Sequence, residues 1–282
     1  MRNLLLLERK AIPVAINHRR KRFRLKIFLM EPTHQRTIGD EYNKLMSSHE
    51  PQYAWLLWSL LLVGIWIAVY LLLKTGENKK EMLLVSAWTS LLGFTEPIFV
   101  PSYWNPPSLF DLAHRTGFDI ESFIFSFAMG GIAVALYDWI FAPRHAAMPR
   151  VEQHHPQHRY HLWTLVSAPI VFIALLLATD LNPIYSSFIA LIVGGLATWL
   201  CRPDLKKKMI VSAFLFLGLY FFYFLTLIAA YPGYVERVWN LAAISGTRLS
   251  GVPLEELMFA FSLGFFWSSV YEHVEWRKIA NK

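Results

Sequence analysis

The sequence predicts an all-α integral membrane protein: seven transmembrane helices, arranged as two parallel three-helix repeats joined by a linker helix. Three observations lead there. First, 55% of the 282 residues are apolar, 16% are aromatic and only 17% are charged, which is more apolar and less charged than a water-soluble domain. Second, seven apolar runs, at 52–73, 81–100, 120–142, 162–179, 183–201, 209–230 and 254–276, are long enough to cross roughly 30 Å of hydrocarbon. Third, the chain matches itself when slid by 134 or 135 positions. The expected organisation is a basic tail at 1–50, a first repeat at 51–143, a histidine-rich loop and linker helix at 144–180, and a second repeat at 181–282.

The tail carries 11 of the 27 Lys and Arg and has no apolar segment of spanning length or signal-peptide core. It reads as a solvated, disordered segment, and no nucleic-acid partner is expected, because no fold or aromatic platform accompanies the charge. If the N-terminus faced the cytoplasm, the inside loops would hold only Arg115, Arg237 and Arg248 against thirteen basic residues on the other side. The positive-inside rule therefore places the N-terminus outside. A tail so basic would then have to cross the membrane, so the expected start of synthesis is Met30 or Met46, with the preceding residues an over-extended reading frame.

The self-match begins in the second run. Glu96-Pro97-Ile98-Phe99-Val100-Pro101-Ser102-Tyr103-Trp104-Asn105 aligns with Tyr231-Pro232-Gly233-Tyr234-Val235-Glu236-Arg237-Val238-Trp239-Asn240, sharing Pro, Val, Trp and Asn. Gly117, Glu121, Phe125, Phe127, Gly130 and Tyr137 then fall on Gly251, Glu255, Phe259, Phe261, Gly264 and Tyr271, with Asp138 over Glu272. A three-helix unit reverses the direction of the chain, so a directly joined copy would be inverted. The linker helix restores the direction and puts Glu121 and Glu255 at the same membrane face, where symmetric halves can build a site between them.

The linker is preceded by His145, His154, His155, His158 and His161, but no carboxylate or cysteine stands at a fixed spacing from them, so a solvated interfacial loop is the expected reading and no metal site is predicted. Cys201 is the single cysteine, which excludes a disulfide framework or a thiolate cluster. The run Arg202 to Lys208 reads as a cytoplasmic stop. The end acids Asp138 and Glu272 read as solvated at the interface.

Gly251-Val252-Pro253-Leu254-Glu255-Glu256 carries the chemistry, because it sets two adjacent carboxyls at the entrance of an aromatic apolar helix. Acids in a first helical turn also suit the helix dipole, by about 0.3–1 kcal/mol. Burial in the bilayer opposes charge there by several kcal/mol and favours a functional role. Glu255 is preferred to Glu256 because only Glu255 has a counterpart, Glu121, in the other half. Glu96 is a further acid within an apolar run, but it stands at the helix end. No Gly-x-Gly-x-x-Gly follows a strand, so neither flavin nor nicotinamide is expected, and the last apolar run contains no lysine for a retinal Schiff base.

A tryptophan-bearing segment, a spacer of about twelve residues and then Gly-x-Pro-x-Glu-Glu at the start of an aromatic helix resemble the membrane-integral lycopene cyclases, which occur as two small subunits or one fused chain. The resemblance covers roughly residues 52–276 and is most specific at Pro253-Leu254-Glu255-Glu256-Leu257-Met258-Phe259. In the first half Asp119 stands where the family has proline and Ser122 where it has a second acid, so that of this motif only Glu121 carries over. The resemblance implies an isomerase-class intramolecular lyase, needing no cofactor or metal, in a bacterial plasma membrane, with the lipid bilayer and a linear carotenoid as its partners. It implies catalytic roles for Glu255, Glu256 and Glu121. Trp104, Trp239, Phe125 and Phe259 would face the polyene, with Asn105 and Asn240 hydrogen-bonding the carboxyls. Such an enzyme protonates a terminal double bond, lets the cation close a ring and removes a proton, which calls for a carboxyl kept neutral by burial, a second group to take the proton back and aromatic faces for the cation. A polytopic carotenoid- or isoprenoid-binding protein, or a small transporter, is the alternative.

Overall fold

The computed structural model describes residues 53–280. The basic tail at 1–50, with Met30 and Met46, lies outside the described residues. Helices α1 (Ala54–Leu72) and α2 (Gly76–Ser90) are followed by a 3₁₀ turn at Leu91–Thr95 and a short α3 (Glu96–Phe99). A loop carrying α4 (Leu112–Thr116) leads to α5 (Ile120–Phe141). Strand β1 (Arg144–Ala147) and α6 (Arg150–Gln153) precede α7 (His161–Ala178) and α8 (Pro183–Cys201). The chain continues through α9 (Lys206–Ala230), α10 (Tyr234–Val238), the short strands β2 (Arg248–Leu249) and β3 (Val252–Pro253), α11 (Leu254–Trp267), α12 (Val270–Val274) and β4 (Arg277–Ala280).

The helix ends follow from local chemistry. Thr75 accepts from Asn78 N–H at 3.1 Å to open α2, and Asn182 accepts from Ile184 N–H at 3.2 Å to open α8, with Pro183 at the first position. Asp119 caps α5 through Ser122 N–H, whereas Pro253 at the equivalent place before α11 makes no side-chain cap. The Asp119-for-proline difference is therefore an exchange of one helix-start residue for another. Gly117 and Gly251, which precede these two helices, both adopt positive φ, at 83° and 89°. That region costs glycine nothing and other residues appreciably.

Among the described residues, six helical segments are long and apolar enough to cross a membrane: Ala54–Leu72, Gly76–Phe99, Ile120–Phe141, Pro156–Ala178, Pro183–Cys201 and Pro203–Ala230. The expected seventh continuous helix is not found. The run 254–276 is broken at Ser268–Ser269 into α11 of 14 residues and α12 of 5 residues. At about 1.5 Å per residue, α11 alone falls short of the hydrocarbon thickness. Ser269 accounts for the break: it turns both its N–H and its hydroxyl to the Phe266 carbonyl, at 3.3 and 3.0 Å, a short-range bond that competes with the helical ladder.

Helix α5 is the central post, buried without interruption from Ala128 to Asp138. It packs against α1, α2, α9 and α11, while α11 packs on α8 and α9, and α7 lies along α8. Leu71, Trp163, Leu177 and Phe222 are exposed on the outer surface, as side chains meeting lipid should be. Close helix crossings occur at small residues. A Cβ on Gly264 would come within 2.7 Å of the Ser212 carbonyl oxygen and 3.0 Å of Ala213 Cα on α9. Because backbone cannot yield as a flexible side chain can, Gly264→Ala is expected to cost about 1–3 kcal/mol and lower the thermal midpoint of the protein in detergent; an unchanged midpoint would show that α9 and α11 do not depend on this contact.

Candidate active site

The two loops that carry the matched tryptophans meet. Asn105 N–H donates to the Val238 carbonyl and Asn240 N–H to the Tyr103 carbonyl, each at 2.8 Å. This reciprocal pair forms an antiparallel bridge between Trp104 and Trp239, whose rings lie 5.5 Å apart. Under the 135-residue shift each asparagine is bonded to the counterpart of the residue two places before it. The side chains of Asn105 and Asn240 point away, on exposed residues, and Asn240 Nδ2 reaches the Ser102 carbonyl at 3.3 Å. Backbone, not the asparagine amides, makes the junction.

Beneath the bridge, the buried Glu256 carboxyl receives three donors. Tyr103 OH at 2.6 Å and Trp239 Nε1–H at 2.8 Å donate to Oε1, and Tyr220 OH donates to Oε2 at 2.6 Å. These donors come from the first loop, the second loop and α9, so no local segment could assemble the arrangement. Burial, followed by the adjacent Glu256 carboxylate, pushes the Tyr103 phenol well above its usual range and keeps it a donor.

Glu255 and Glu121 do something different. Glu255 Oε1 accepts from Ser245 N–H at 2.9 Å and from Tyr185 OH at 2.7 Å. Glu121 Oε1 accepts from Leu109 N–H at 2.7 Å. Both glutamates reach back from a helix start to hold the loop before it, and neither lines the cavity described next.

That cavity, of 680 Å³, lies among α1, α3, α5, α7, α8, α9 and α11 and falls within the roughly 300–1,000 Å³ common for small-molecule sites. Trp55, Trp58, Phe99, Trp104, Phe125, Phe172, Trp239, Phe259, Phe266 and Trp267 line it, and two carboxyls reach it: Glu256, and Glu96 from α3. Glu96 is buried, and its Oε1 has no hydrogen-bond partner among the described residues. The Ser122 hydroxyl and the Trp104 indole lie beside its carboxyl. Thus one tryptophan of the bridged pair attends each acid. Ser122 occupies the place of Glu256 in the first half and also lines the cavity.

Of the residues singled out in the sequence, the cavity therefore gathers Glu256, Trp104, Trp239, Phe125 and Phe259, and leaves Glu121, Glu255, Asn105 and Asn240 outside its lining. Glu96 was visible as an acid in an apolar run; its burial at 6% exposure is what the helix-end position concealed. Tyr103 and Tyr220 gave no signal, being two of 12 tyrosines.

Comparison with known proteins bears on the same region. The protein-family model described as Lycopene cyclase matches residues 182–274. The match supports a lycopene cyclase domain family for this part of the chain. The matched stretch contains α8, α9, α11, Trp239, Tyr220 and both glutamates of Pro253-Leu254-Glu255-Glu256. It supplies Glu256 and two of its three donors, while Tyr103 and Glu96 come from residues before it. No curated protein and no solved structure matches the chain.

Proposed function

We propose that the protein is a cofactor-independent carotenoid cyclase of the membrane-integral lycopene cyclase type, residing as a multi-pass protein in the plasma membrane and built from two pseudo-equivalent halves. The observation that carries the reading is the pair of carboxyls, one from each half, in one aromatic cavity. The end of a linear polyene enters that cavity. Glu96, whose Oε1 is engaged by no donor among the described residues, delivers a proton to the terminal double bond. The resulting cation is attacked by a nearby double bond and a ring closes. The cation is held by the faces of Trp55, Trp58, Phe125 and Phe259, each contributing roughly 0.5–2 kcal/mol. Glu256 accepts a proton from the carbon next to the ring cation. Its two oxygens already face three donors, so it is arranged to receive. One proton enters and one leaves, and the product is an isomer of the substrate. Glu121 and Glu255 hold the loops that precede their helices.

Expression in a lycopene-accumulating host, followed by chromatography of the pigments, tests the proposal. Conversion to mono- or bicyclic carotenoid is expected. Unchanged lycopene, with the protein verified in the membrane, would remove it.

A further inference from the structure

A second cluster lies where α7 begins and α8 ends. Cys201, the last residue of α8, meets His158 from the loop before α7 and His161, the first residue of α7: its Sγ is 3.5 Å from His158 Nδ1 and 3.8 Å from His161 Nδ1. All three ligand atoms lie within 4.8 Å of one another. A tetrahedral Zn²⁺ with bonds of about 2.3 Å to sulfur and 2.0–2.1 Å to nitrogen has S···N edges of about 3.5 Å, so the two measured sulfur–nitrogen separations are close to those of a filled site. His158 closes the 3₁₀ turn Pro156–His158 and His161 opens α7, so the turn into the helix brings both imidazoles to the end of α8.

The surroundings hold these groups in place. Gln157 Nε2 donates to the Cys201 carbonyl at 3.0 Å, fixing the loop to the end of α8. The His161 ring stacks on Trp276 with centroids 3.8 Å apart. The neighbouring cation, Arg202, is already neutralised by Asp204, at 2.9 and 2.7 Å, and donates at 2.9 Å to the Glu272 carbonyl. A fourth imidazole stands beside the cluster: His273 is 1% exposed, its ring is 4.5 Å from that of His161, and its Nδ1 lies 3.4 Å from Thr198 Oγ1. Its buried Nε2 has no hydrogen-bond partner among the described residues.

We infer that His158, His161 and Cys201 form a binding site for Zn²⁺, with the fourth position taken by water or by His273. A thiolate with two imidazoles is a donor set suited to this ion and poorly suited to Mg²⁺ or Ca²⁺. The ion binds the loop before α7 to the end of α8, away from the residues that line the carotenoid cavity. It is no part of the cyclisation chemistry.

The test uses the full chain, without a histidine tag, purified in detergent, stripped of metal and titrated with Co²⁺ as a spectroscopic stand-in for Zn²⁺. One tetrahedral Co²⁺ per chain is expected, with a thiolate-to-cobalt charge-transfer band that one equivalent of Zn²⁺ abolishes. Zn²⁺ should also slow alkylation of Cys201. The near-isosteric Cys201→Ser should lose the band and bind Zn²⁺ more than about 100-fold more weakly, a larger loss than outer-sphere changes produce. His154→Ala, in the exposed part of the same loop, serves as the control and should leave binding unchanged. Octahedral Co²⁺ without the band, or equal Zn²⁺ affinity in a folded Cys201→Ser protein, would overturn the site.

Discussion

Glu256→Gln is expected to abolish ring formation, lowering the rate by about 10²–10⁴-fold, the range a positioned acid or base contributes. The protein should still accumulate. Glutamine keeps one carbonyl oxygen to accept from Tyr103 and Trp239, and the Tyr220 hydroxyl can rotate to accept from the new amide. Geometry survives while proton exchange is lost. Glu96→Gln should have a comparable effect, since one cycle needs both a donor and an acceptor. Glu255→Gln provides the contrast: its amide oxygen can still accept from Ser245 N–H and Tyr185 OH, so cyclisation should fall by less than about 10-fold, far below what loss of a positioned acid or base costs. Pigment analysis of the three variants in a lycopene-accumulating host decides the matter. Full activity in Glu256→Gln would end the proposed role of that residue, and loss confined to Glu255→Gln would move the chemistry to its neighbour.

The second large effect concerns Lys208. Its Nζ lies 3.5 Å from Glu81 Oε1 and 3.3 Å from Asp138 Oδ1, and contacts Glu272 Oε1 more closely still. His145 Nε2 is 3.4 Å from Asp138 Oδ2, and every one of these side chains is enclosed, at 0–1% exposure. Removing one partner from such a buried group leaves uncompensated charge and costs about 3–5 kcal/mol. Lys208→Met is therefore expected to abolish accumulation of folded protein, or to lower its thermal midpoint in detergent sharply. Lys208→Arg, which keeps the charge, should be milder. An unchanged midpoint in Lys208→Met would show that the carboxyls are protonated and do not need the cation.

This cluster also corrects the sequence reading of its members. Asp138 and Glu272 are buried at 2% and 0% exposure instead of solvated at the interface, and Lys208, from the run read as a cytoplasmic stop, is fully buried. Hydropathy and positive-inside counting treat each charge alone, and alone each would stay in water. Five groups converging from α2, α5, β1, α9 and α12 compensate one another, and that convergence cannot be read from any single segment.

What the sequence by itself determined is set by local, periodic chemistry. The six long apolar helices and the paired glycines at 117 and 251 each depend on a few neighbouring residues, so their signals survive without coordinates. The family-bearing Pro253-Leu254-Glu255-Glu256 is a contiguous motif and is legible for the same reason. The seventh run reads as one helix because apolar content runs through Ser268 and Ser269, while the break depends on where the Ser269 hydroxyl bonds.

Tertiary structure decided which acid faces the cavity. Successive residues on a helix point roughly 100° apart, and here Glu256 lines the cavity while Glu255, the glutamate with a twin in the other repeat, does not. The twin positions hold loops, and the cavity instead takes Glu256 from one half and Glu96 from the other. The meeting of His158 with Cys201, 43 positions apart, is of the same kind. Such contacts are fixed by how α-helices pack, through the small residues and interlocking aromatics between them, and the sequence states those terms only when all of them are satisfied at once.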